Sequence, residues 1–201
     1  MRLLKKHFKK YLTLFLFSAI IFSLSSCRSS RLNQHKVLRP VYITNHKKIN
    51  LLPAENAALL LDKFQMFNGT FGDTTFSLLS YTQIDSTGIS LSLLNDFGTD
   101  MGNLYFNGEE LTFESAYIPS KLPGEYIVAE IQNAYYDEAE LKKNYQSAGL
   151  RFDVESDPEQ KVQLRKLYDG KKLIEEIQIF KNTVRINNYL RGYSFELVDA
   201  E

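Results

Sequence analysis

A single cysteine, Cys27, excludes any disulfide within the chain, so a folded domain must be held by its core alone. The three histidines, His7, His35 and His46, all precede Ile49. The sequence from Ile49 onward, read as the folded domain, therefore has no Ser-His-Asp arrangement, no Cys-His pair and no histidine-based metal site. A glycine-rich phosphate loop is also missing. Acids are absent from the first 48 positions, so the chain's zero net charge hides an asymmetry. All 24 lie beyond, against 13 Lys and Arg. An acidic body disfavours nucleic acid, whose affinity rests on neutralising phosphates. Among the carboxylates, Glu109-Glu110 and Glu175-Glu176 are adjacent pairs. Neighbours on a strand point to opposite faces, so these read as solvated turn and edge charges. Asp153, Glu155, Asp157 and Glu159 lack the glycine and terminal bidentate glutamate of a calcium loop and read as a polar loop. The expectation is a protein with no catalytic residue, no cofactor and no metal.

What is present begins with a basic leader. Arg2, Lys5, Lys6, Lys9 and Lys10 precede an apolar stretch over residues 12–22, and Ser23, Ser25 and Ser26 follow. This is the layout of a secretory signal. The apolar stretch is shorter than the roughly 20 residues a membrane span needs, which disfavours an uncleaved anchor. Leu24-Ser25-Ser26-Cys27 resembles a bacterial lipobox, with the lipid carried on the Cys27 thiol. Three segments follow from this: a signal peptide over 1–26, a basic tether over 27–48 and one domain over 49–201. The tether carries Arg28, Arg31, Lys36, Arg39, Lys47 and Lys48. It is either a solvated linker or a strip resting on anionic headgroups, at about 1 kcal/mol per charge.

From about Asp62 the sequence alternates with period two between turn signals, the mark of half-buried strands. Ile89, Leu91 and Leu93 alternate with serines; Leu104 and Phe106 flank Tyr105; Tyr193, Phe195 and Leu197 alternate with polar residues. One apolar face per strand predicts an antiparallel sheet covered on one side. Asn68-Gly69, Asn107-Gly108 and Asp169-Gly170 supply tight-turn residues. Between the two sets of strands, Ile127, Ile131 and Tyr135 recur at helical spacing. Asp137 reads as the cap of a second helix and Gly149 as its stop. A further short helix is predicted over 54–61. The fold class is α+β, mainly antiparallel β: a strongly curved incomplete barrel of about ten strands, with short helices on its concave side. Whether that interior is an apolar cavity or a packed core is left open by the pattern.

The stretch Ile127-Val128-Ala129-Glu130-Ile131-Gln132-Asn133-Ala134-Tyr135-Tyr136 and the turn and strand over 96–106 resemble a family of small bacterial outer-membrane lipoproteins. These are encoded beside aryl polyene and fatty-acid-like synthesis genes. That family is in turn similar to the lipoprotein carriers LolA and LolB, half-barrels whose interior holds acyl chains. In this chain Tyr136 stands where the family commonly has Trp, and Asp137 replaces the Pro that follows. The resemblance covers most of 51–198 and implies a lipid-handling role. An acyl or polyene chain would lie against Phe76, Leu78, Ile89, Leu91, Leu93, Leu104, Phe106, Phe113, Ile127, Ile131, Tyr135 and Phe195. It also places Phe97 at a loop tip that engages a membrane or partner, against the alternative of an aromatic folded onto the core. Arg28 after the cysteine implies outer-membrane anchoring, with the domain facing the periplasm. The alternative function is a non-catalytic scaffold lipoprotein holding an export or assembly partner of the envelope.

Overall fold

The computed structural model describes residues 40–115, 117–118 and 122–200. The signal segment, Cys27 and the tether up to residue 39 lie outside them. After a short hairpin of β1 (Val41–Tyr42) and β2 (Lys48–Ile49) come five strands: β3 (Leu61–Phe71), β4 (Thr74–Asp85), β5 (Gly88–Leu94), β6 (Asp100–Phe106) and β7 (Leu111–Ser115). Two helices follow, α1 (Gly124–Tyr135) and α2 (Glu138–Ser147). Five more strands complete the domain: β8 (Arg151–Asp157), β9 (Val162–Asp169), β10 (Lys172–Ile179), β11 (Thr183–Asn188) and β12 (Tyr193–Asp199). The ten form one antiparallel sheet in the order β7-β6-β5-β4-β3-β12-β11-β10-β9-β8. Each half is a run of hairpins, and the halves join where β3 pairs with β12. The sheet does not close: β7 and β8 are its two edges, consistent with an incomplete curved sheet. No helix among the described residues is long and apolar enough to cross a membrane.

Alternation decides the inner face. β5 buries Ile89, Leu91 and Leu93, while Ser90 and Ser92 turn outward. The same period puts Phe67, Leu78, Leu104, Phe106, Phe195 and Leu197 into one apolar cluster with Ile127, Val128 and Ile131 of α1. Helix α1 is buried on every side, from Ile127 through Ala134. One side meets the sheet, and the N-terminal segment covers another. There Gln132 Nε2 donates to the Leu52 carbonyl at 2.7 Å, and its Oε1 accepts from Leu52 N at 3.0 Å.

Several sequence expectations need correction. Residues 40–48 belong to the folded unit, because β1 (Val41–Tyr42) pairs with β2 (Lys48–Ile49) and buries Val41 and Ile49. His46, at that hairpin's exposed turn, is thus within the folded unit too. Lys47 is tied into the fold: its Nζ bonds Gly149 O at 2.7 Å and Asp169 Oδ1 at 2.6 Å. The helix expected over 54–61 is only a 3-10 turn at Ala54–Asn56. Ala57 instead takes an extended conformation, bridges to Tyr136, and is followed by a bond from Ala58 N to Tyr135 O. A β-ladder contact to the end of α1 outcompetes local helix formation. Asn68-Gly69 is not a turn but lies inside β3, and the reversal comes at Gly72, whose φ is 57°. Finally, Asp153 and Glu155 lie on strand β8 rather than in a loop.

The cap of α2 is as the sequence predicts. Asp137 accepts from Ala139 N at 2.9 Å and Glu140 N at 3.1 Å. Asp137→Ala should lower stability by about 1 kcal/mol, measured as a lower urea midpoint at unchanged slope.

Candidate functional site

Ile127, Glu130, Ile131 and Ala134 are spaced three and four apart, so they share the face of α1 turned to the sheet. With Tyr135 they meet Phe67, Thr82, Leu91, Ile186, Phe195 and Leu197 around a cavity of about 20 Å³. That volume holds about one water and no hydrocarbon tail. Of the choice the sequence left open, hollow or core, the described residues show a packed core with a small void beneath α1. Of the residues named for an apolar ligand, Leu91, Ile127, Ile131, Tyr135 and Phe195 line this void. Phe76, Leu78, Ile89, Leu93, Leu104, Phe106 and Phe113 do not. They are core packing: Phe76, for example, stands edge-on to Phe67 with centroids 5.2 Å apart.

The interior also holds a polar cluster that the sequence reading missed. Glu130 and Glu175 are both buried, at 4% and 3% exposure. Glu175 Oε1 accepts from Asn133 Nδ2 and its Oε2 from Asn188 Nδ2, each at 2.7 Å. The Tyr193 hydroxyl donates to Glu130 Oε1, and the Tyr145 hydroxyl donates to Asn133 Oδ1 at 2.7 Å. Burial raises Glu130 well above the ordinary carboxyl value, and the neighbouring Glu175 raises it further. Burial raises Glu175 as well, opposed by the donors around it. Burial and the two carboxyls likewise raise the Tyr193 and Tyr145 phenols.

Glu175 was read as a solvated charge. A register shift between Leu173 and Glu175 turns both Ile174 and Glu175 inward, which strict alternation forbids. Glu130 had a readable signal: a carboxylate three residues after Ile127 and four before Ala134 sits inside the helix's apolar stripe. The Thr82 hydroxyl, on the cavity wall, is buried without a hydrogen-bond partner. At the far end of α1, Arg165 Nη1 donates to the carbonyls of Asn133 (2.9 Å) and Tyr136 (3.0 Å). Tyr136 itself is fully buried, and burial pushes its phenol up to about 12.

The β5–β6 loop presents Phe97 at 94% exposure. Its shape comes from Asn95, whose Oδ1 accepts from Phe97 N at 3.0 Å and Thr99 N at 2.9 Å, and from Gly98 at φ 74°. The backbone is thus held while the ring points away from the core. Among the described residues no group of three His, Cys, Asp or Glu is placed to hold a metal ion. Asp153 pairs with Arg151 and Glu155 with Lys166, each at 2.9 Å, and Asp157 caps its own turn.

A family model described as a protein of unknown function (DUF3261) matches residues 62–201, and the chain belongs to that family. The match takes in the ten-stranded sheet and both helices and leaves the β1–β2 hairpin outside. No curated protein matches the chain.

Proposed function

We propose that this member of an uncharacterised family binds the apolar chain of a lipid, an acyl or polyene chain, between α1 and the inner face of the sheet, without catalysis. The observation that supports it is the void beneath α1, walled mostly by aliphatic and aromatic side chains from four strands and the helix. In the closed conformation it is water-sized, so a hydrocarbon enters only as α1 moves outward. Each methylene then buried contributes about 0.8 kcal/mol, which offsets the cost of opening for a long chain. On this reading the half-barrel works as LolA and LolB do. The Cys27 thiol carries a lipid anchor in the outer membrane, and the Phe97 loop meets the membrane or an export partner. Mass spectrometry of extracts from protein made in its native host, with uptake of a fluorescent fatty acid, tests the proposal. Ligand-free protein that takes up no probe overturns it.

Phe97→Glu should change stability by no more than about 0.5 kcal/mol, since the ring touches little. In lipidated protein bound to vesicles, the same substitution should abolish protection of the Phe97 loop from proteolysis. A large loss of stability would instead mean that the ring packs onto the core.

One observation favours a second reading. The nearly filled interior suits a scaffold lipoprotein that holds an envelope complex together. Co-purification of a stable partner with no bound lipid would select it.

A further inference from the structure

Helix α1 is fastened to the β8–β12 half of the sheet by two side chains on one face, Glu130 and Asn133. Asn133 reaches Glu175 on β10, and Glu130 reaches Tyr193 on β12. Both oxygens of Glu175 already accept a hydrogen bond from an asparagine. Glu130 Oε1 accepts from Tyr193, but no donor reaches its buried Oε2. A bare carboxylate oxygen in such a place is costly. As an O–H it carries no charge, and it lies in the same buried network as Glu175, linked through the Tyr193 hydroxyl and Asn188 Nδ2. The pair then carries one negative charge rather than two, as adjacent buried carboxyls do.

We infer that Glu130 and Glu175 form a proton-held latch that keeps α1 closed over the cavity, and that loss of the pair's proton releases the helix. The inference rests on the reading of α1 as the cover of the ligand site. The groups facing the pair are few. Tyr193 of β12 and Tyr145 of α2 are phenols whose protons stay on. Arg191, in the β11–β12 loop, acts on Glu175 through space, but its guanidinium bonds Tyr42 O and lies over the Tyr126 ring. Among the described residues no Lys or Arg pairs directly with either carboxyl. A second charge on the pair therefore has nothing to neutralise it. The strands are fixed by their ladders, so the helix is the part that yields. Arg165 holds its C-terminal carbonyls while Glu130 swings toward water.

The sign follows from linkage. A carboxyl raised by folding adds stability that is fully present below its unfolded value. That stability is lost as pH rises through the folded value, so the closed state is favoured in acid.

The test is hydrogen exchange of the α1 amides, corrected for intrinsic rate, from about pH 5 to about pH 9, a range that starts above the ordinary glutamate value. Wild-type protection should fall by at least about tenfold across it, since one pKa unit of coupling is a factor of about ten. Glu130→Gln keeps an uncharged side chain that cannot lose a proton, so its protection should stay flat. Glu175→Gln, which removes the second charge but leaves Glu130 buried, should show a smaller fall than wild type and serves if the first variant unfolds. A flat wild-type profile, or the same fall in both variants, overturns the latch. Uptake of a fluorescent fatty acid is followed in parallel. Opening without uptake keeps the latch and overturns the lipid reading. Uptake that is independent of pH, with α1 protection unchanged, does the reverse.

Discussion

Tyr145→Ala lowers the stability of the domain by about 3–5 kcal/mol, the cost of deleting a large buried aromatic. The ring is fully buried and stacks on Phe152 with centroids 5.2 Å apart and planes 15° from parallel. With Leu141 it is one of the two side chains that α2 buries, and its hydroxyl supports the interior cluster through Asn133. Removing it leaves a void between helix and strand and an Asn133 oxygen with no donor. Against a typical net stability of about 5–15 kcal/mol, the loss is a large fraction. Tyr145→Phe separates the two contributions. It keeps the packing and removes only the hydroxyl, for about 1–3 kcal/mol. Urea unfolding followed by circular dichroism measures both, as lower midpoints with unchanged slopes. Equal losses in the two variants would mean that the hydrogen bond, not the ring, holds α2 in place.

Gly69→Val has the second largest expected effect, about 1–3 kcal/mol or more through overpacking. A Cβ at position 69 would stand 2.1 Å from Phe76 Cζ on the paired strand. To make room the half-buried Phe76 ring must leave its contacts with Phe67 and Phe195, which it meets with centroids at 5.2 and 6.3 Å. If this contact is the cause, the two positions are coupled. Phe76→Ala empties the space, so adding Gly69→Val to it should cost much less than in the wild-type background. A double-mutant cycle should give a coupling of at least about 0.5 kcal/mol. Additive losses would place the strain elsewhere.

That glycine also shows where the sequence was legible. Five strands, two helices and five more strands were readable, because one buried face per strand forces period two, and the buried stripe of α1 forces 3.6. The cap at Asp137 was readable because it is local. The failures turn on contacts or irregularities that a short window does not show. Asn68-Gly69 looks like a turn until the Phe76 ring is placed over it. Residues 54–61 look helical until Tyr136 supplies a strand-like partner. The β1–β2 hairpin is too short to show alternation, although Thr44 Oγ1, accepting from His46 N and Lys47 N, marks its turn. At the candidate site the apolar wall was legible in Leu91, Ile127, Ile131, Tyr135 and Phe195. The acid pair was not, since a bulge turns Glu175 inward and no local pattern announces a bulge.

The sheet's midline, where β3 meets β12, is built from the first and last of its ten strands. Each five-stranded half can assemble from neighbouring hairpins as a nascent chain lengthens. The seam between them must wait for the final residues, and closing so long an intervening segment is slow. Until then β3 offers a bare edge, open to pairing with another copy. A chain cut short before Tyr193 would not lose a margin of the structure: it would be left as two separate half-sheets.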